Sequence, residues 1–193
     1  MTNPRQGGSA IYSRYYEDIS RAHGSALFVA ISSSYYLDEE SENCIVENNL
    51  SLRVARPSHN HMAKKNKIRN NVFITEGDAR LTFPRSSDFT LEKNIIYATG
   101  KIIIENPEAV THWSKNLFFS GAGAILKAWS TPESSATIGD ANVTDPLFVN
   151  WQQGDFRFRP GSPAHALGLS PIDISRAGLI KTPAHRLGTT FRH

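Results

Sequence analysis

The stretch Ile68-Arg69-Asn70-Asn71-Val72-Phe73 has three near-copies in the chain: Ile45-Val46-Glu47-Asn48-Asn49-Leu50, Leu91-Glu92-Lys93-Asn94-Ile95-Ile96 and Trp113-Ser114-Lys115-Asn116-Leu117-Phe118. Aligned on the last asparagine, they set anchors at Asn49, Asn71, Asn94 and Asn116, spaced by 22, 23 and 22 residues. A fixed period of this length marks a solenoid, in which each repeat stacks on the one before it. Short β-type runs leave a leucine-rich horseshoe or a parallel β-helix, and the leucine-dominated pattern of the horseshoe is absent. In a β-helix each coil brings the chain back to the same place one strand spacing higher, ~4.8 Å. An asparagine at one corner of every coil then stacks into a ladder, its amide bonding backbone above and below. The residue after each anchor is apolar (Leu50, Val72, Ile95, Leu117), as expected of a strand turning into a core.

A second strand repeats behind the first. Arg80-Leu81-Thr82-Phe83 follows Asn71, Lys101-Ile102-Ile103-Ile104 follows Asn94, and Ala124-Ile125-Leu126-Lys127 follows Asn116. Gly77, Gly100, and Gly121 or Gly123 precede these strands and supply the bend. No window sustains a 3.6-residue period, so no long helix is expected. One period back from Asn49 lies a further coil around Leu27-Phe28-Val29. The expected fold class is therefore all-β: about five coils over residues 1–129, a loop and edge-strand segment over 130–178 that caps the same domain, and a mobile tail over 179–193. An uncapped solenoid end exposes core and unpaired strand edges. The N-terminal end shows no convincing cap, which leads to the expectation that the chain is the C-terminal part of a longer protein.

Composition narrows the class. The chain has 193 residues, 39% hydrophobic and 20% charged, enough for one packed domain. The formal charge is only +3, with basic and acidic residues interleaved, which argues against a nucleic-acid partner. The basic run Lys64-Lys65-Asn66-Lys67-Ile68-Arg69 reads as a solvated turn. No apolar run approaches the ~20 residues of a membrane helix, and the first residues carry no signal-peptide pattern. A single cysteine, Cys44, rules out an internal disulfide and reads as a small core residue.

Past Trp129 the pattern changes. Asp145-Pro146-Leu147-Phe148 is followed by Gly154-Asp155-Phe156-Arg157, an alternating edge strand, then by Pro160-Gly161-Ser162-Pro163-Ala164 and by Pro171-Ile172-Asp173-Ile174-Ser175-Arg176-Ala177-Gly178. With Tyr36-Leu37-Asp38-Glu39, Val46-Glu47-Asn48-Asn49 and Ile68-Arg69-Asn70-Asn71 upstream, this order resembles right-handed parallel β-helix proteins of the pectate-lyase-like superfamily. The resemblance covers roughly residues 34 to 178. It implies a right-handed helix and a carbohydrate-active protein of the glycoside hydrolase or polysaccharide lyase type, secreted or periplasmic. It names no substrate, because the fold serves many activities.

Stacking suggests where chemistry can gather. Counted twelve to ten residues back from the anchors, Leu37-Asp38-Glu39, His59-Asn60-His61, Thr82-Phe83-Pro84 (then Arg85) and Ile104-Glu105-Asn106 fall on successive coils. Glycoside hydrolysis needs two carboxyl groups. Asp38 is the leading candidate, with Glu39, Glu40, Glu76 or Glu105, or a carboxylate on further upstream coils, as partner and His61 beside them. His59, Arg85, Arg80 and Lys101 are the expected substrate-binding groups. In a lyase the arginines or Lys101 would neutralise a substrate carboxylate and a histidine would take the proton. Two histidines without a third ligand do not make a metal set, so neither metal nor cofactor is expected. Trp113, Trp129 and Trp151 are candidate sugar platforms, with Trp113 read rather as packing beside its anchor strand and Trp151 as an exposed platform.

The leading expectation is thus a glycoside hydrolase acting on a polysaccharide or complex glycan. A lyase, a non-catalytic glycan-binding module and a fragment with an incomplete groove are the alternatives.

Overall fold

A computed structural model describes residues 11–13, 27–29, 33–128, 134–135 and 142–173, and all structural statements concern these. Trp129 and residues 174–193 lie outside them. The chain is a parallel β-helix with three faces. Face one stacks Ile11–Ser13, Ser33–Leu37, Arg56–Asn60, Ala79–Thr82, Ile102–Glu105 and Ile125–Ala128. Face two stacks Ile45–Glu47, Lys67–Arg69, Phe89–Glu92 and Val110–Ser114, and face three Leu27–Val29, Leu50–Leu52, Val72–Thr75, Ile95–Ala98, Leu117–Ser120 and Asn142–Val143. Within each face these strands pair in parallel; only Ser134–Ser135 joins face one antiparallel. Four coils carry a strand on every face among the described residues, one fewer than expected, because the first and last contribute only to faces one and three.

The corners explain the asparagines. The residue before each anchor has a positive φ: Asn48 59°, Asn70 51°, Lys93 54° and Lys115 53°. The turn from face one to face two does the same at Glu40, Met62 and Arg85, and again at Asn43, Lys65 and Asp88. Left-handed backbone turns the chain sharply and suits Asn and Asp better than other side chains. Behind this corner the anchor points inward. Asn49 donates from its backbone N–H (3.1 Å) and its Nδ2 (3.0 Å) to Asn71 Oδ1. Asn71 does the same to Asn94, and Asn94 to Asn116. The Nδ2 of the later three also reaches a carbonyl one coil back, Asn71 to Val46, Asn94 to Ile68 and Asn116 to Leu91, while that of Asn49 donates to Glu47 O in its own coil. Buried amides bonded at every step carry no desolvation penalty for an unmet group. A shorter rung repeats this at Asn66, which accepts from the Cys44 N–H and donates to Ser41 O.

Two cores flank face three. Inside the helix pack Tyr35, Leu37, Val46, Ile68, Phe73, Leu81, Phe83, Phe89, Leu91, Ile96, Ile104 and Phe118, with Cys44 buried among them. On the outer side of face three, Leu50, Val72, Ile74, Ile95 and Leu117 meet Phe148, Trp151, Phe156 and Phe158. These come from an antiparallel hairpin, Phe148–Asn150 with Asp155–Phe158, that lies against the flank of the stack. Buried on both sides, face three reads as continuous hydrophobic runs such as Ile95-Ile96-Tyr97-Ala98. Trp151 is buried, its ring centroid 5.5 Å from that of Tyr97, and this corrects its reading as an exposed platform. Ser162 fixes the following turn by donating to Pro146 O (2.6 Å) and accepting from the Ala164 N–H.

Candidate functional site

The outward side of face one and the turn that leaves it gather several of the polar side chains singled out above. Along a strand, alternate residues share a side, and in a parallel stack each meets its counterpart on the next coil. Tyr36 is in register with His59, His59 with Thr82, and Thr82 with Glu105. The Tyr36 and His59 rings stack, centroids 4.5 Å apart and 22° from parallel, and His59 Nδ1 hydrogen-bonds Thr82 Oγ1. The expected register holds from His59 to Thr82 but is one residue out at the step before it and the step after it. Leu37 lies beside Asn60, not His59, because this part of the coil advances by 23 residues while the Asn49–Asn71 corner advances by 22. Asp38 therefore meets His61.

That meeting defines the site. Asp38 is 7% exposed. Its Oδ1 accepts from Tyr36 Oη (2.7 Å) and lies 3.2 Å from His61 Nδ1. Glu39 follows on the turn leaving face one. One ligating atom each from Asp38, Glu39 and His61 lies within 4.8 Å of the other two. The sequence reading assigned no metal ligands; these three form a set that a small divalent cation can bridge, and His59 is not part of it.

The other candidates fall elsewhere. His59 stands one row away, half-buried. Burial, first of all, and then the charges of Arg56 and His61 hold its pKa below the ordinary histidine value, with Glu105 and Asp38 pulling the other way. Arg80 is committed to Glu105 (2.7 Å), which removes Glu105 as a ready partner for Asp38. Glu76 pairs with Arg53 (2.8 Å) and Glu40 occupies a left-handed corner, so Glu39 is the carboxylate beside Asp38. Arg85 is exposed at the corner, its Nη1 3.9 Å from Met62 Sδ, and does not join Asp38. Lys101 is exposed just before its strand, its N–H bonded to Asp78 Oδ1 (2.8 Å). Lys64 and Lys65 both pair with Glu42, in keeping with a solvated turn.

The chain matches no family model, no curated protein and no solved structure.

Sequence reading missed Tyr36 and Arg56 as neighbours of these groups, while Thr82 lies beside His59 as the counting placed it. The signal for Tyr36 was its two-residue spacing from Asp38 on one strand. Arg56 needed the strand register. No helix among the described residues is long and apolar enough to cross a membrane.

Proposed function

We propose that the protein is a carbohydrate-active enzyme, a glycoside hydrolase that lays a glycan along the outward side of face one. The observation that carries this reading is the closeness of the Asp38 and Glu39 carboxylates, within 4.8 Å, beside His61 and the Tyr36–His59 ring stack. The separation fits the shorter of the two spacings glycosidases use, ~5 Å, at which one carboxylate attacks the sugar directly and configuration is retained. Asp38, accepting from Tyr36 and facing His61, takes the part of the nucleophile. It attacks the anomeric carbon while Glu39 donates its proton to the departing oxygen. Water, deprotonated by Glu39, then cleaves the glycosyl ester and frees Asp38. The Tyr36 ring offers an apolar face to a sugar and His59 a polar edge, its ring held from below by the buried Thr82 hydroxyl. The pectate-lyase-like resemblance supports the same class and, with it, export to where polysaccharides are met.

A lyase is the second reading, favoured by the Asp38–His61 contact. A histidine held through Nδ1 presents Nε2 as a base. One assay separates the two. Purified protein is incubated with neutral and acidic polysaccharides, and both reducing ends and the ultraviolet absorbance of unsaturated uronates are followed. New reducing ends without absorbance support hydrolysis; absorbance shifts the assignment to the lyase; neither signal overturns both and leaves a binding module.

A further inference from the structure

At the other end of face two from the Asp38 corner, a cleft of about 450 Å³ lies between the stack and the C-terminal segment. One wall is the row of left-handed corners Asn48, Asn70 and Lys93, a single residue from each of three successive coils. Pro171, Ile172 and Asp173 form the other wall. The three corner side chains are spaced by one coil each, ~4.8 Å. Asn48 and Asn70 are exposed, and their amides have no hydrogen-bond partner among the described residues; Lys93 has no ion pair among them. The neighbouring anchors spend their amides inside the ladder, so the difference lies in direction: anchors point in, corners point into the cleft. Lysine is less at ease than asparagine in left-handed backbone, yet it stands where a third asparagine would continue the row.

We propose that this cleft is a second saccharide site, taking a short oligosaccharide that carries an anionic substituent, a carboxylate or a sulfate. The class of ligand rests on the carbohydrate reading above; the site does not use Asp38. Two amides in a row suit vicinal hydroxyls, which both donate and accept. The Lys93 ammonium neutralises the anionic group, and Pro171 with Ile172 covers an apolar sugar face. The volume falls within the range of small-ligand sites, about 300–1,000 Å³.

The test is calorimetric titration of the full chain carrying Asp38→Asn, with and without Lys93→Asn, against short uronate, sulfated and neutral oligosaccharides. Lys93→Asn suits the corner backbone and leaves the melting temperature unchanged. The expected result is binding of one charged series at least ~tenfold weaker in the double variant, the loss of one charge-assisted contact; the series that responds tells carboxylate from sulfate. Equal affinity with and without Lys93→Asn, neutral oligomers bound as tightly as charged ones, or no binding at all would each overturn the inference. Failure of the hydrolase reading is seen separately, in the reducing-end assay on the unaltered chain.

Discussion

His61 Nδ1 lies 3.2 Å from Asp38 Oδ1, although the two residues are 23 positions apart in the chain. One turn of the helix closes that gap, and the Tyr36 hydroxyl completes the arrangement from within Asp38's own strand.

Asp38→Asn tests what this arrangement is for. The amide keeps the size and still accepts from Tyr36, so the fold survives. Turnover of a responsive polysaccharide is expected to fall by at least ~100-fold, the scale of losing a catalytic acid–base or nucleophilic group. Initial rates of reducing-end release, alongside an unchanged far-ultraviolet dichroism spectrum, check it. Retained turnover would remove Asp38 from the mechanism.

The ladder makes a stability prediction. Asn94 Oδ1 accepts from the Asn71 N–H and Nδ2, and its Nδ2 donates to Ile68 O and Asn116 Oδ1. Asn94→Ala leaves several of these groups buried and unmet, at roughly 1–3 kcal/mol each. A loss on the order of 3 kcal/mol or more is expected in urea unfolding, while Asn70→Gly at the exposed corner stays within about 1 kcal/mol. Similar values for the two would show that the ladder is incidental.

Corners offer the opposite sign. Lys115 holds φ 53° and its side chain is exposed. Glycine accepts this backbone without the strain of ~1–2 kcal/mol borne by other residues, against ~0.5–1 kcal/mol of added chain entropy. Lys115→Gly is expected to raise the unfolding free energy relative to Lys115→Ala by about 1 kcal/mol. Chemical denaturation of the pair reads the difference, and an alanine variant as stable as the glycine one would contradict the corner assignment.

His59 predicts a pH dependence. Burial lowers its pKa in the folded state below the ordinary 6.5. Between that lowered value and 6.5 the unfolded chain binds more protons, so stability rises with pH across this window. The contribution is intact above about 6.5 and is lost as pH falls below it. His59→Gln is expected to flatten this part of the profile, measured as urea midpoints between pH 5 and 7.5. A slope unchanged by the substitution would assign it to other groups.

The stack was legible because its device is a residue type: an asparagine needed at one corner of each coil leaves a period in the sequence. The same counting misplaced the site by one residue. Anchors report the spacing only at their own corner, and the run from Leu37 to Asn60 is one residue longer than that from Asn49 to Asn71. Asp38 and His61 were both named, but their contact follows from strand pairing, which no local pattern encodes. Tyr36 went unassigned because its role depends on that pairing. The burial of Trp151 depended on where the hairpin docks, and its residues announce an apolar side without naming the surface that covers it. Glu105 and Glu76 dropped out as catalytic partners only once their ion pairs with Arg80 and Arg53 were seen.

The three steps of the asparagine row run in one sense: the earlier residue always gives and the later residue's Oδ1 always receives. The amide dipoles therefore add head to tail along the axis, whereas the dipoles of a sheet largely cancel. Turning over a single amide would set like ends face to face on both sides, and the backbone N–H that meets each Oδ1 fixes the sense, so the row takes this one polarity throughout. A coil duplicated into this stack must bring its asparagine in the prevailing polarity, and growth of the solenoid copies a direction as well as a length.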